Sequence, residues 1–164
     1  MTGWRIGYAC APAVIAKLMT RVHQYTMLCA PHIAQLAAIE ALAHAEPDVQ
    51  IMVADYDRRR RMFVGALNSM GLDCYEPQGA FYAFPSIRRF GLSSEEFAGR
   101  LLDEERVAVV PGSAFGPSGE GHVRCCYASA VPKLEEALKR IERFLSRLKQ
   151  EDPSIDSGTV AELL

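Results

Sequence analysis

The sequence predicts an α/β chain whose later part is an α+β layout, and three observations predict it. From Val14 to Met70, apolar residues recur at helical spacing, interrupted near Pro31 and Pro47. Beyond Gly71, short extended runs at 81–84, 107–110 and 123–127 alternate with helical stretches. Near the end, Leu134, Leu138, Ile141, Leu145 and Leu148 form one apolar stripe among alternating charges, a helix suited to close over a small sheet.

Each element has a local reason. Trp4 to Cys10 reads as a short buried strand that Ala11-Pro12 ends. Val14, Ile15, Leu18 and Met19 then mark the apolar face of a helix, with Lys17 and Arg21 on its wet side. Pro31 interrupts the pattern because its ring clashes with the preceding turn and its nitrogen donates no hydrogen bond. Ile33, Leu36, Ala37, Ile39 and Leu42 resume it as a second, Ala-rich helix, and both helices are expected to be well buried. Pro47-Asp48 opens a longer helix to about Met70, with Met52, Tyr56, Phe63, Leu67 and Met70 on one stripe and Gly71 as its left-handed stop. A helix of that length can link two domains.

Ser93 followed by Glu96 is a capping-box pattern, in which each side chain accepts from the other's backbone N–H; it starts a helix to Asp103. Loss of such a cap costs about 1 kcal/mol. From Glu151, Asp152-Pro153-Ser154 and Ser157-Gly158 break the pattern, so 151–164 reads as a loose tail. The domain boundaries expected are 1–50, 51–150 and that tail.

The totals narrow the function classes. The chain has 164 residues, 49% apolar and 23% charged, which is ordinary globular usage and enough length for a real core. A formal charge of -2 gives no global attraction to nucleic acid or anionic lipid, so a bound anion must be held by particular arginines. Cys10, Cys29, Cys74, Cys125 and Cys126 are odd in number and lack Cys-x-x-Cys spacing. They read as buried free thiols of a reducing cytoplasm, with neither a disulfide framework nor a zinc site. His23, His32, His44 and His122 lack the i, i+4 pairing of a helical metal site, so no metal is expected. No apolar run approaches the roughly 20 residues of a membrane span, and no signal pattern opens the chain.

Two arginines stand out. Arg5 lies in a run too apolar for an exposed strand, so its guanidinium needs an anion. A phosphate would satisfy it, and so would a structural ion pair with an Asp or Glu. Arg124, in His122-Val123-Arg124-Cys125-Cys126-Tyr127, alternates against Val123, Cys125 and Tyr127. On a rigid strand it would be a preorganised carboxylate clamp; a salt-bridged surface arginine is the alternative. Phe81 and Tyr82 read as core. The run Arg58-Arg59-Arg60-Arg61 would point around a whole helix, beside Asp55 and Asp57, and reads as a solvated linker face rather than a nucleic-acid groove.

Four segments carry a family resemblance: Gly3-Trp4-Arg5-Ile6-Gly7-Tyr8, Pro77-Gln78-Gly79-Ala80-Phe81-Tyr82-Ala83-Phe84-Pro85, Val109-Val110-Pro111-Gly112-Ser113-Ala114-Phe115-Gly116, and Gly121-His122-Val123-Arg124. In this order and at these spacings, over residues 1 to about 148, the chain resembles the C-terminal portion of a class I/II, fold-type I aminotransferase that uses pyridoxal 5′-phosphate. His23 to Gln35 is similar to the family's interface-forming region, which implies a homodimer.

The resemblance implies that 1–50 finishes the large cofactor domain and that 51–150 is the small domain, a short sheet covered by helices. It assigns Arg5 to the cofactor phosphate and Arg124 to the substrate α-carboxylate. It puts no catalytic residue in this chain, with the Schiff-base lysine upstream of Met1. Lys17, Lys133, Lys139 and Lys149 lie in helices among charged neighbours, the wrong setting for a desolvated nucleophilic amine. The complete enzyme would move an amino group from an amino acid to a 2-oxo acid, while this chain alone would be inactive and would not retain the cofactor. The alternatives are a free-standing carboxylate-binding or dimerisation module, or another enzyme of the same fold type such as a lyase.

Overall fold

In the computed structural model, which describes residues 1–157, the chain forms five helices and three short strands, divided into two compact units, Met1–Val53 and Ala54–Leu164.

The first unit begins with a 3-10 turn, Thr2–Trp4, followed by irregular chain and helices α1 (Ala13–Thr26) and α2 (His32–His44). Pro12 and Pro31 precede these helices, where a proline's missing N–H goes unneeded. The buried strand expected from Trp4 to Cys10 is not formed: no strand among the described residues offers its backbone a ladder, and most of these residues are exposed. The expectation of two well-buried helices also fails. Ala34 is the unit's buried residue, whereas Val14, Leu18, Ile39 and Leu42 are all more than half exposed. An apolar helix face becomes buried only when a second layer covers it, and residues 1–53 build none.

Helix α3 (Glu46–Ser69) runs across the division. It stops at Gly71, whose φ of 85° suits a residue without Cβ, while the Leu72 N–H donates to the Leu67 carbonyl at 3.0 Å.

The second unit surrounds a three-stranded antiparallel sheet in the order β1-β3-β2: β1 (Tyr82–Ala83), β2 (Val110–Pro111) and β3 (Val123–Cys126). The register sets Tyr82 opposite Cys126, Ala83 opposite Cys125, and Val110 opposite Arg124. The extended run expected from residue 107 joins the ladder at Val110, because the short β3 offers partners from there onward. Helices α4 (Ser94–Glu105) and α5 (Val131–Glu151) supply the covering layer. Phe63 and Leu67 of α3, Phe97 and Leu101 of α4, and Ile141, Phe144 and Leu148 of α5 join Ala83, Val123 and Cys125 of the sheet in one core. Phe97 meets Phe144 edge-on at 5.2 Å, a favourable arrangement of ring quadrupoles.

Half of the expected capping box is present. Ser93 Oγ accepts from the Glu96 N–H at 3.2 Å, and another N–H of the first turn, that of Ser94, is accepted at 2.7 Å by Glu120 from a distant loop. The tail reading needs a correction as well. Glu151 ends α5, and Pro153–Ser157 turns back as a 3-10 helix that puts Ile155 into the core, because an apolar side chain there can cover the last turns of α5. Residues 158–164 of the expected tail lie outside the described residues.

Candidate functional site

β3 is the middle strand of the sheet, and its side chains alternate between the two faces. Val123 and Cys125 are buried beneath the helices, and Arg124 projects from the opposite face, half-buried. The chain entering this strand is tied to three other segments. Ile87 N–H donates to the Gly121 carbonyl at 2.8 Å and Gly112 N–H to the His122 carbonyl at 2.8 Å, while Gly121 N–H donates to Ser94 Oγ at 3.1 Å. Gly112 and Gly119 cross so closely that a Cβ on either would collide with the other's carbonyl. The Ser94 backbone N–H, aided by the Ser94 hydroxyl, holds the Glu120 carboxyl below the usual carboxylate range, which keeps this bond intact through neutral pH.

Chain leaving the strand is held from α3. Arg59 Nη1 donates to the carbonyls of Ala128 and Ser129 at 2.9 and 2.8 Å, and the same side chain pairs with Asp55. Its neighbours are also engaged: Arg58 with Asp55, Arg60 with Asp57 and Glu76, and Arg61 with Asp57. These arginines hold both carboxyls of Asp55 and Asp57 below their ordinary range. The basic run is a paired structural seam.

Arg124 has a different environment. Among the described residues its guanidinium faces no carboxylate and donates no hydrogen bond; its neighbours are the rings of Tyr82 and Phe115, whose centroids lie 4.5 and 4.8 Å from Cζ. Tyr82 is therefore a wet-face residue, 38% exposed, rather than the core residue expected from sequence. Ala83, its inward neighbour at 0% exposure, takes the core position that the ladder offers. Phe84 continues the cluster, edge-on to Phe115 at 6.0 Å and stacked on His122 at 5.2 Å. Sequence reasoning missed Tyr82 and Phe115 as neighbours of Arg124. The i, i+2 relation of Tyr82 and Phe84 around a small Ala83 was the available signal.

Arg5 also differs from expectation. It is exposed, adopts a left-handed φ of 52°, and its guanidinium makes one internal bond, to the Thr2 carbonyl at 3.3 Å. The burial argued from its apolar neighbours requires a covering layer, absent from residues 1–53 for the reason given for α1 and α2. Among the described residues the remaining guanidinium N–H groups have no acceptor and are available to an oxyanion, so the donor chemistry fits a phosphate. Lys17, Lys133 and Lys139 are exposed on helices, and Lys149 is half-buried in the last turn of α5.

Two other features carry no chemistry here. A groove of about 500 Å³ runs between Arg106–Val109 and the first turns of α5, but Arg124 does not line it. Cys74 and Cys125 are buried as expected, and burial pushes the Cys125 thiol up to about 12, far from the thiolate form that reacts. Cys10, Cys29 and Cys126 are exposed against expectation, Cys10 and Cys29 because residues 1–53 build no covering layer and Cys126 because it shares the open face of β3 with Arg124. Among the described residues no group of three or more His, Cys, Asp or Glu could hold a metal ion, and no helix is long and apolar enough to cross a membrane.

Comparison with known proteins agrees with these motifs. Residues 1–141 match the family described as aminotransferase class I and II. The chain is similar to the Bacillus subtilis protein YugH, 56% identical over 147 residues that make up 90% of this chain and 38% of that protein. It is 47% identical over 151 residues to an aspartate aminotransferase of Pyrococcus abyssi, covering 91% of this chain and 39% of that one. The crystal structure of an aromatic aminotransferase from Pyrococcus horikoshii superposes with a TM-score of 0.83 at 48% identity, over 91% of this chain and 40% of that chain. The chain thus spans about two fifths of the length of the curated relatives it matches.

Proposed function

This chain belongs to the class I and II aminotransferase family, and from that membership we propose that it supplies the substrate-carboxylate clamp of a pyridoxal-phosphate-dependent transaminase. The observation that carries the proposal is Arg124, a guanidinium on a rigid central strand, held by rings and paired with no anion among the described residues. Arg forks match the two oxygens of a carboxylate, and a strand that does not reorganise fixes the direction of approach.

In the complete enzyme the reaction is transfer of an amino group from an amino acid to a 2-oxo acid. Pyridoxal phosphate, when bound, supplies the electron sink. Arg124 binds the α-carboxylate and so orients the amino-bearing carbon. Arg5 holds the cofactor phosphate through its free N–H groups. The amine that carries the cofactor comes from outside these residues, a reading supported by the exposure of Lys17, Lys133 and Lys139. Relatives named for aspartate and for aromatic substrates are about equally similar, so the substrate side chain is left to other residues.

The unpaired thiols support a reducing cytoplasmic setting, and the bare apolar faces of α1 and α2 support a homodimeric enzyme in which those faces are covered. The test is Arg124→Ala in the complete enzyme. The expected result is a loss of transition-state binding of about 2–4 kcal/mol in kcat/KM, as for a truncated partner of a buried charge pair. Unchanged kinetics for amino-acid substrates would remove the assignment.

A further inference from the structure

The neighbours of Arg124 suggest how its clamp works. A free arginine side chain samples many rotamers, and a ligand that has to immobilise it loses part of its affinity to that ordering. Here the immobilisation is built in. The guanidinium carbon lies 4.5 Å from the Tyr82 ring and 4.8 Å from the Phe115 ring, distances at which the negative face of an aromatic ring attracts a cation. The two rings arrive from different elements: Tyr82 from β1, on one side of β3, and Phe115 from the 3-10 turn Gly112–Phe115 that follows β2 on the other. Each is braced in turn, Tyr82 by Phe81 at 4.8 Å and Phe115 by Phe84 at 6.0 Å.

A ring offers no lone-pair acceptor, so these contacts leave the five N–H donors of the guanidinium without a conventional hydrogen-bond partner. Those donors all lie in the guanidinium plane, and for Arg124 none is taken by an acceptor among the described residues. Unpaired in-plane donors suit a ligand that approaches edge-on with two coplanar oxygens, which is the geometry of a carboxylate.

We infer that Tyr82 and Phe115 are positioning residues that hold the Arg124 guanidinium edge-on for the substrate carboxylate. The inference rests on the carboxylate-clamp reading above and deepens it. It also explains why two aromatic side chains, 38% and 49% exposed, stand on the wet face of a sheet whose other face is already covered.

The test uses the full chain with ¹⁵N-labelled arginine, with the Arg124 Nε–Hε signal assigned through Arg124→Lys and pyruvate as the probe. In the unsubstituted chain that signal is expected upfield, shifted by the ring currents, and perturbed on titration with pyruvate. Tyr82→Leu and Phe115→Leu each move it back toward the free-arginine position and weaken pyruvate binding about three- to ten-fold, whereas Tyr82→Phe and Phe115→Tyr stay within about two-fold. A structural role alone would not be rescued by exchanging one ring for another.

Equal pyruvate affinity in the unsubstituted chain and both leucine variants would overturn the positioning role while leaving the clamp in place. Failure of the unsubstituted chain to bind pyruvate would overturn the clamp, and the inference with it. Should the leucine variants not fold, the unsubstituted spectrum still decides, since an Arg124 signal at the free-arginine position excludes the two-ring contact.

Discussion

The two units contain similar raw material and treat it oppositely. In Met1–Val53, Val14 is 74% exposed and Ile39 is 65% exposed; in Ala54–Leu164, Leu67 and Phe144 are fully buried. Both sets lie on helices with apolar faces. The second unit folds a sheet and three helical faces around one centre, so its apolar side chains cover each other, while the first has two helices and no layer to set against them. An apolar stripe therefore reports that a surface is to be covered, and leaves open which polypeptide covers it.

The largest expected effect sets the units against each other directly. Phe144→Ala in the core of the second unit should cost about 3–5 kcal/mol of stability, whereas Ile39→Ala on α2 should cost less than about 0.5 kcal/mol in the same chain. Urea denaturation followed by circular dichroism measures both; equal costs would mean that α2 is covered in solution and would erase the contrast.

A smaller effect probes how tightly the second unit holds its loops. Gly119→Ala drives a methyl group into the Gly112 carbonyl and should destabilise by about 1–3 kcal/mol, disturbing the approach to Arg124 at the same time. Gly65→Ala, mid-helix in α3 with open space around it, should instead stabilise by about 0.5–1 kcal/mol. If Gly119→Ala leaves the thermal midpoint unchanged or raises it as Gly65→Ala does, the close crossing of the two loops is not present in solution.

The smallest effect is on pH dependence. Glu105, at the end of α4, accepts from Arg143 at 3.0 Å and pairs with Arg147 at 2.6 Å, and these guanidinium groups, Arg143 foremost, lower its carboxyl from 4.5 to about 2. A depressed folded-state pKa stabilises above the ordinary value, and that contribution disappears as pH falls from 4.5 toward 2. Glu105→Gln should lower the urea midpoint at neutral pH and flatten its decline through that acid window. Identical acid profiles for the two proteins would show that the α4–α5 ion pairs add nothing to the unit's cohesion.

Much of the second unit was legible because its signals are local. Ser93 announces α4, Gly71 stops α3, and the Leu134 to Leu148 stripe gives α5 within about a turn. The period-two alternation around Arg124 correctly put Val123 and Cys125 inside. What failed depended on distant chain. The strand at Trp4 to Cys10 had no neighbour, the Ser94 N–H at the start of α4 found its acceptor in the distant Glu120, and Ile155 turned back into the core.

By itself the sequence determined the helices, the inward and outward faces of β3, and the motifs that place the chain in its family, because propensity, periodicity and turn chemistry act over a few residues. Only the tertiary structure decided that Arg5 stands exposed, that Arg59 bonds the Ala128 and Ser129 carbonyls, and that Tyr82 and Phe115 meet over Arg124. Those contacts join residues up to 70 positions apart, and no local rule encodes which distant group a side chain will meet once the core has closed.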